Sequence, residues 1–511
     1  MALLLQHLFL DTAVRRPDRT ALVCGAQRLT YGQLAQQAGA LAATLVDSGV
    51  KAGDRVLICA ENSVEFVVSF WAVLMADGVA CPVHPATPAP KLAWYLADTR
   101  ATALVASGSL LETVTAAAPR APHLVCTVLA GAVDAGQPAA LPGRVDFASA
   151  AAGRAVPPPA RNGPEDLAAI LYTSGSTGVP KGVMLSHANM LAAAASIQAY
   201  LGYREQDVVL AALPMSFDYG LYQMILAFAA GARMLLERSF NVMPQVVTRM
   251  AREGVTVFPG MPTVFALLAQ MKTLAGFDLS LVRLVTSTGA PLVPAQVRWL
   301  RLAFPSAQLY SMYGLTECKR CSYLPPQDID RKPGSVGIAM PGLRCWVVDG
   351  QGRQLPPDEV GELVVQGPTV MQGYWGDARA TAQRLRPGPH GTVLHTGDLC
   401  RIDADGYLYV VGRMDDLIKS RGERVAPREV EAALLDVPGV RDAVVIGVPD
   451  DVQGQAIKAF VVLEAGIAPS AGALRSALRD RIEQRLIPSR FEFRDALPVG
   501  PTGKTDRAQL R

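Results

Sequence analysis

Apolar positions change their spacing along the chain, and the changes mark out its elements. Between residues 11 and 110, short apolar runs alternate with longer helical stretches. Tyr31–Ser48 reads as a helix, closed by a turn at Gly49 to Gly53. Arg55–Ala60 reads as a strand, Ser63–Ala76 as a strongly apolar helix, Val79–Val83 as a strand, Pro90–Thr99 as a helix and Ala103–Ala106 as a strand. Repeated βα units of this length predict a mostly parallel sheet with helices on its faces. Residues 114–163, rich in Ala, Pro and Gly and ending in Pro157-Pro158-Pro159, read as surface connection with short strands. The alternation then resumes, with strands at Val208–Ala212, Arg233–Leu236, Val255–Pro259 and Arg283–Ser287. From about residue 330 the runs shorten and turns bound them, as at Arg344–Val348, Glu362–Gln366 and Leu408–Val411. The last segment reads helix Pro427–Leu435, strands Val440–Val448 and Gln455–Leu463, then helix Ala471–Arg485. The expected fold is α/β. A large N-terminal domain of αβ-layered subdomains with mixed sheets and a β-rich subdomain spans 1–414. A small α+β domain spans 415–511, with the boundary near Asp415.

Composition narrows the classes. The chain has 511 residues, 50% hydrophobic and 18% charged, which suits a well-buried globular protein too long for one compact domain. A net charge of +3 without a long basic run does not point to nucleic acid or an anionic membrane surface. No apolar run reaches the roughly 18 residues of a membrane span. The apolar start, Met1 to Leu10, lacks a basic leader and is interrupted by Gln6 and His7, so it reads as a first amphipathic helix rather than a signal peptide, and the expected location is cytoplasmic. The eight cysteines are scattered. Cys318 and Cys321 form a C-x-x-C pair without a second pair or a suitably spaced His, which argues against zinc.

The richest local chemistry is Tyr172-Thr173-Ser174-Gly175-Ser176-Thr177-Gly178-Val179-Pro180-Lys181-Gly182, between two apolar runs. Its glycines let a backbone approach a ligand, and its hydroxyls, amides and lysine suit a polyphosphate. The spacing is not that of a Walker A loop, and a polar hairpin loop remains an equal reading of this stretch alone. Ser311-Met312-Tyr313-Gly314-Leu315-Thr316-Glu317 ends a strand, where α/β sheets bind ligands. There Tyr313 can stack on a base, Thr316 bond a phosphate and Glu317 hold Mg²⁺. Thr396-Gly397-Asp398-Leu399, Gly412-Arg413 and Pro501-Thr502-Gly503-Lys504 would each, alone, more often be surface turns.

Together, in this order, these motifs resemble the AMP-forming adenylating superfamily: acyl-CoA synthetases, adenylation domains of nonribosomal peptide synthesis and firefly-type luciferases. The resemblance covers nearly the whole chain. It implies that Thr173, Ser174, Gly175, Ser176, Thr177, Gly178 and Lys181 cradle the β- and γ-phosphates of ATP. Gly289, Ala290 and Pro291 lie against the adenine, and Tyr313 stacks on it. Thr316 contacts the α-phosphate and Glu317 the Mg²⁺. Asp398 binds the ribose, Arg413 ribose or phosphate, and Lys504 bridges carboxylate and α-phosphate. Asp415 matches a hinge about which a mobile C-terminal domain rotates. Lys419 faces the site in the second conformation, and Gly422 lets a pantetheine thiol pass. His187 reads as packing or capping rather than a base.

The acyl pocket implied by the resemblance involves Phe217, Asp218, Tyr219, Tyr222, Thr288, Met312 and residues after Glu317. Asp218 either pairs with a substrate ammonium or caps the helix beginning near Gly220. Lys319 and Arg320 either meet a second anionic group of the substrate or face solvent, the commoner fate of such residues. The stretch 412–425 is closer to acyl-CoA ligases than to peptide-synthetase domains. The expected reaction therefore joins a small carboxylic acid to the thiol of CoA. The alternative loads an amino or aryl acid onto the phosphopantetheine of an acyl or peptidyl carrier protein in trans. A non-catalytic nucleotide-binding protein and a luciferase-like oxygenase are more distant readings. The oligomeric state is not legible.

Overall fold

A computed structural model describes the chain except for residues 1–3, 132–140, 154–159, 174–178, 272–273, 290–291, 389–390, 421–422, 451–453, 465, 468, 480, 501–504 and 511; at Ala275, Asp415, Lys419, Glu423, Arg424, Gly454, Arg485 and Ala508 it describes backbone alone. The residues pack as two units. The first comprises residues 1–334, 339–344 and 366–394, and the second 335–338, 345–365 and 395–511.

The first unit holds the expected αβ alternation in two sheets. One runs Ser322–Leu324, Gln308–Tyr313, Leu284–Ser287, Val257–Gly260, Val208–Ala211, Arg233–Leu236, Thr20–Cys24 and Gln27–Thr30 in spatial order. From Gln308–Tyr313 to Thr20–Cys24 its neighbours are parallel, and its outer hairpins are antiparallel. The other sheet runs Gly373–Tyr374, Lys181–Ser186, Leu167–Thr173, Val79–Val83, Arg55–Cys59, Ala103–Ser107, Cys126–Ala130 and Arg144–Asp146. The stretch expected as surface connection thus supplies a sheet edge: Cys126 and Val128 are fully buried, and both strands pair in parallel. Its alanine-rich composition gives little contrast between buried and exposed positions, which hides the period.

Helices sit where the pattern places them. Tyr31–Asp47 opens at Thr30, whose hydroxyl accepts from Gln33 N while the Gln33 side chain accepts from Thr30 N. Helix Leu5–Arg15 sends Phe9 into a cluster with Trp71, Tyr31 and Phe228; the Phe9 and Trp71 rings stack at 5.1 Å. Phe228 belongs to helix Asp218–Ala229, which is buried from Asp218 to Phe228, as a helix apolar on nearly every side must be. That cluster anchors one end of the helix and leaves its N-terminus to present Asp218.

The second unit pairs Gly391–Ile402 with Leu408–Arg413 in antiparallel register, and helix Pro427–Leu435 packs on Leu408–Arg413. Strands Val440–Asp450 and Gly454–Leu463 form a long hairpin, flanked by Ile418–Ser420 and Arg490–Phe493. Val430, Leu434, Val445, Val461, Leu474 and Leu478 make its core. By packing, then, the β-rich strands expected with the large domain group with the C-terminal segment. The expected helix Ala471–Arg485 stops at Arg479. Among the described residues, no helix is long and apolar enough to cross a membrane.

Candidate active site

In the first unit the sequence-predicted residues gather at the carboxyl ends of the parallel strands. Thr286 and Ser287 lie in register with Tyr310 and Ser311, so Thr288 and Gly289 leave one strand beside Met312 and Tyr313 on the next. Tyr313, Thr316 and Glu317 are half-buried, open enough to meet a ligand. In the other sheet Thr173 pairs with Lys181 across the base of the glycine- and hydroxyl-rich loop. Ser174, Gly175, Ser176, Thr177, Gly178, Ala290 and Pro291 lie outside the described residues.

A residue that the sequence motifs do not single out joins these two regions. Tyr374 pairs with Val183 beside the loop hairpin. Its hydroxyl donates to Glu317 Oε1 at 2.8 Å, and Lys181 Nζ lies 5.3 Å from its ring centroid. The available signal was an aromatic pair between glycines, Gly373-Tyr374-Trp375-Gly376. Glu317 is positioned from its backbone too, since its carbonyl accepts from Met371 N at 2.8 Å. Among the described residues no cluster of His, Cys, Asp or Glu could cage a metal alone. A lone, hydrogen-bonded carboxylate still fits Mg²⁺, which keeps waters and usually binds through one or two carboxylates plus substrate phosphates.

The loop after Glu317 turns back tightly. A Cβ on Gly314 would stand 2.4 Å from the Lys319 carbonyl oxygen and 2.6 Å from Arg320 Cα. Both neighbours are backbone, so Gly314→Ala must move the loop. We expect a loss of about 1–3 kcal/mol in stability and at least a roughly tenfold fall in ATP–pyrophosphate exchange. A melting curve and an exchange assay that both match wild type would contradict this.

Lys319 and Arg320, for which solvent was the commoner expectation, are 4% and 3% exposed. Lys319 takes a left-handed backbone (φ 70°), unusual for a side-chain-bearing residue. Its ammonium lies 3.2 Å from Asp218 Oδ2 and 3.8 Å from the Tyr222 ring centroid. The ion pair is close, but its angles do not meet hydrogen-bond geometry, and Lys319 Nζ has no satisfied bond. Burial pulls the ammonium down to about 8, with Asp218 opposing the fall and Arg320 adding to it.

Asp218 does not cap its helix. It occupies the first helical position, after Phe217 at the cap, and the cap makes no side-chain bond. Close packing sets that helix start, since a Cβ on Gly220 would stand 2.3 Å from the Pro214 carbonyl oxygen. The buried carboxylate thus finds its ammonium within the protein. Arg320 Nη1 donates to Met312 Sδ at 2.8 Å and approaches Tyr200 Oη at 3.4 Å, while its guanidinium lies 4.9 Å from the Tyr219 ring. Tyr219 Oη is in turn fixed to Thr286, at 2.9 Å from the carbonyl oxygen and 2.7 Å from Oγ1. His187 is fully buried, takes a bond from Leu5 N at 3.0 Å and is lowered by burial to about 4. That is packing chemistry, as expected.

In the second unit Asp398 and Arg413 face each other across the strand pair, with Arg413 Nε 2.9 Å from Asp398 Oδ1. Asp398 N donates to Thr396 Oγ1, which donates to the Leu363 carbonyl, and Gly397 N donates to Glu362 Oε1. Glu362 also meets His395 Nδ1 at 2.8 Å. Asp415 falls in a single turn, Met414–Asp416. Lys419 lies on Ile418–Ser420, which pairs with Glu423–Val425. Gly422, between those strands, and Lys504 lie outside the described residues. Among the described residues nearby, Val499 pairs with Thr505, and Glu431 clasps Arg507 at 2.6 Å.

Comparison with known proteins accounts for this arrangement. Residues 9–375 match the AMP-binding enzyme family, and residues 429–504 match the AMP-binding enzyme C-terminal domain. The chain is 34% identical to a feruloyl-CoA synthase of an Amycolatopsis species, covering 97% of this chain and 96% of that one. It is 31% identical to a long-chain-fatty-acid–CoA ligase of Escherichia coli, covering 99% and 94%. The crystal structure of ATP-bound MatB from Rhodopseudomonas palustris aligns with a TM-score of 0.89 and 31% identity, over 99% of this chain and 98% of that one. The chain belongs to the AMP-binding enzyme family, as an AMP-forming acid–thiol ligase of the acyl-CoA synthetase type.

Proposed function

We propose that the protein activates a carboxylic acid with ATP and passes the acyl group to the thiol of CoA. A carboxylate oxygen forms a bond to the α-phosphorus, and the bond to pyrophosphate breaks, its electron pair leaving with pyrophosphate. The CoA thiolate then attacks the acyl carbon, and AMP departs. The observation that carries this reading is the placement of Tyr374 between Glu317 and Lys181, which ties the strand-end carboxylate to the phosphate-loop lysine. Bound Mg²⁺, held by Glu317 and the phosphates of ATP, would supply positive charge against the anions that must meet. Thr173, Lys181 and the intervening loop would hold the leaving pyrophosphate, Thr316 the α-phosphate, and Tyr313 with Gly289 to Pro291 the adenine. Asp398 and Arg413 would take the ribose, and Lys504 would bridge the two reacting anions.

One site can serve both steps if the C-terminal segment turns about Asp415, bringing Lys419 in and opening a thiol path beside Gly422. Lys419→Ala should then slow thioester formation by about tenfold or more while acyl-AMP still forms. Equal slowing of both half-reactions, followed by quenched-flow product analysis, would contradict the two-state assignment.

The overall test is acid-dependent ATP–pyrophosphate exchange over a panel of acids, followed by CoA. The expected result is exchange with at least one acid and an acyl-CoA product. Exchange without any acyl-CoA would favour a carrier protein as acceptor. The internal partner of Asp218 weighs against an amino acid, since the charge that would meet an α-ammonium is already neutralised.

A further inference from the structure

Resting on the acid-activating reading above, we infer that Arg320 receives a second anionic group of the acid, so that the substrate is a dicarboxylic acid. The argument is one of charge and unmet donors. Arg320 is 3% exposed, and its Nη2 has no partner. Its other contacts are a thioether, a phenol at 3.4 Å and an aromatic face. None of these carries the charge that a buried guanidinium requires.

No carboxylate of the protein fills that role among the described residues. Asp218 is engaged by Lys319. Asp207, the next carboxylate on that side, is held by Arg283 at 2.5 and 2.8 Å and by Thr256 at 2.8 Å. The phenols around Arg320 do not supply a negative charge either. Burial raises Tyr200, Tyr203 and Tyr222 and lifts Tyr219 to about 12, so all stay neutral near pH 7. Two buried cations therefore face one carboxylate. Lys319 holds its place in a left-handed conformation, which persists only where its surroundings dictate it.

A ligand carboxylate answers both deficits. It brings the missing charge, and its two oxygens fit the fork of a guanidinium. Arg320 also stands three residues beyond Glu317 and against Tyr219, beside the expected acyl pocket. A simple fatty acid would leave the guanidinium unpaired, and an amino acid would add a third cation.

The experiment is ATP–pyrophosphate exchange by the full chain. Succinate, glutarate, adipate and phthalate are compared with butyrate, valerate, hexanoate and benzoate, with alanine and glutamate alongside. The expected result is a diacid whose kcat/KM exceeds that of its matched monoacid by at least about tenfold. Arg320→Met should abolish that preference, lowering diacid kcat/KM about 100-fold without changing ATP affinity. Should Arg320→Met not fold, Arg320→Lys decides: a point charge without the fork keeps the preference and weakens diacid use by about tenfold. Preference for monoacids or amino acids, a diacid preference unchanged in Arg320→Met, or diacid use undiminished in Arg320→Lys overturns the inference and leaves acid activation standing. Exchange with no acid overturns both.

Discussion

Glu317→Gln protein should form acyl-AMP about 10³-fold more slowly than wild type, while its affinity for ATP falls much less. The substitution keeps size and an oxygen that can accept from Tyr374, so loop geometry survives. It removes the negative charge that a hard divalent cation needs. The reaction brings a carboxylate against a triphosphate, so lost positive charge is felt most where the two anions meet. Acid-dependent pyrophosphate exchange measures the step, and a bound fluorescent ATP analogue measures affinity. Lys504→Ala should show the same separation, because its amine would face charge that develops during transfer. Equal losses in exchange and in ATP affinity would make either residue a binding contact only. Tyr374→Phe should cost only about tenfold, since it frees the carboxylate without discharging it.

Asp218→Asn should destabilise the protein by about 3–5 kcal/mol, because it strands the Lys319 ammonium in a buried site. For a unit of this size that corresponds to a fall of roughly 5 °C in melting temperature. Asp218→Asn combined with Lys319→Met should recover most of the loss, as a neutral pair of similar volume needs no counter-charge. The pH dependence has a definite sign. Lys319 is held at about 8 in the folded state against an ordinary 10.5, so between those values the unfolded chain binds the extra proton. The penalty is fully present below pH 8 and is relieved as pH rises towards 10.5, by about 3 kcal/mol. The difference between the wild-type and Lys319→Met melting curves across that window isolates it. A difference that is flat, or that grows with pH, would show that the ammonium is not penalised by burial. If Asp218 instead recognised a substrate ammonium, Asp218→Asn would impair exchange and leave stability unchanged.

The contrast between Tyr313 to Glu317 and the pair Lys319 and Arg320 shows where local reading stops. Tyr313, Thr316 and Glu317 are legible because their chemistry is carried by residue type and order at a strand end. Lys319 and Arg320 have the local signature of surface cations, which such residues usually are. Their burial depends on Gly314 letting the backbone fold back and on a helix more than ninety residues earlier delivering Asp218. Tyr374 likewise reaches Glu317 only because its short strand pairs beside the phosphate loop.

Element type and order followed from the sequence, because period and turn chemistry are properties of neighbouring residues. Helix Tyr31–Asp47, strand Arg233–Leu236 and helix Pro427–Leu435 fall where their spacing places them. So did the presence of an adenylating site, through motifs whose spacing is local. Tertiary structure alone decided that Asp218 is neutralised from within, that Arg320 is buried without a counter-charge, and that the alanine-rich stretch near Cys126 joins a sheet. Those outcomes rest on charge balance and packing between residues far apart in the chain, which no local pattern encodes.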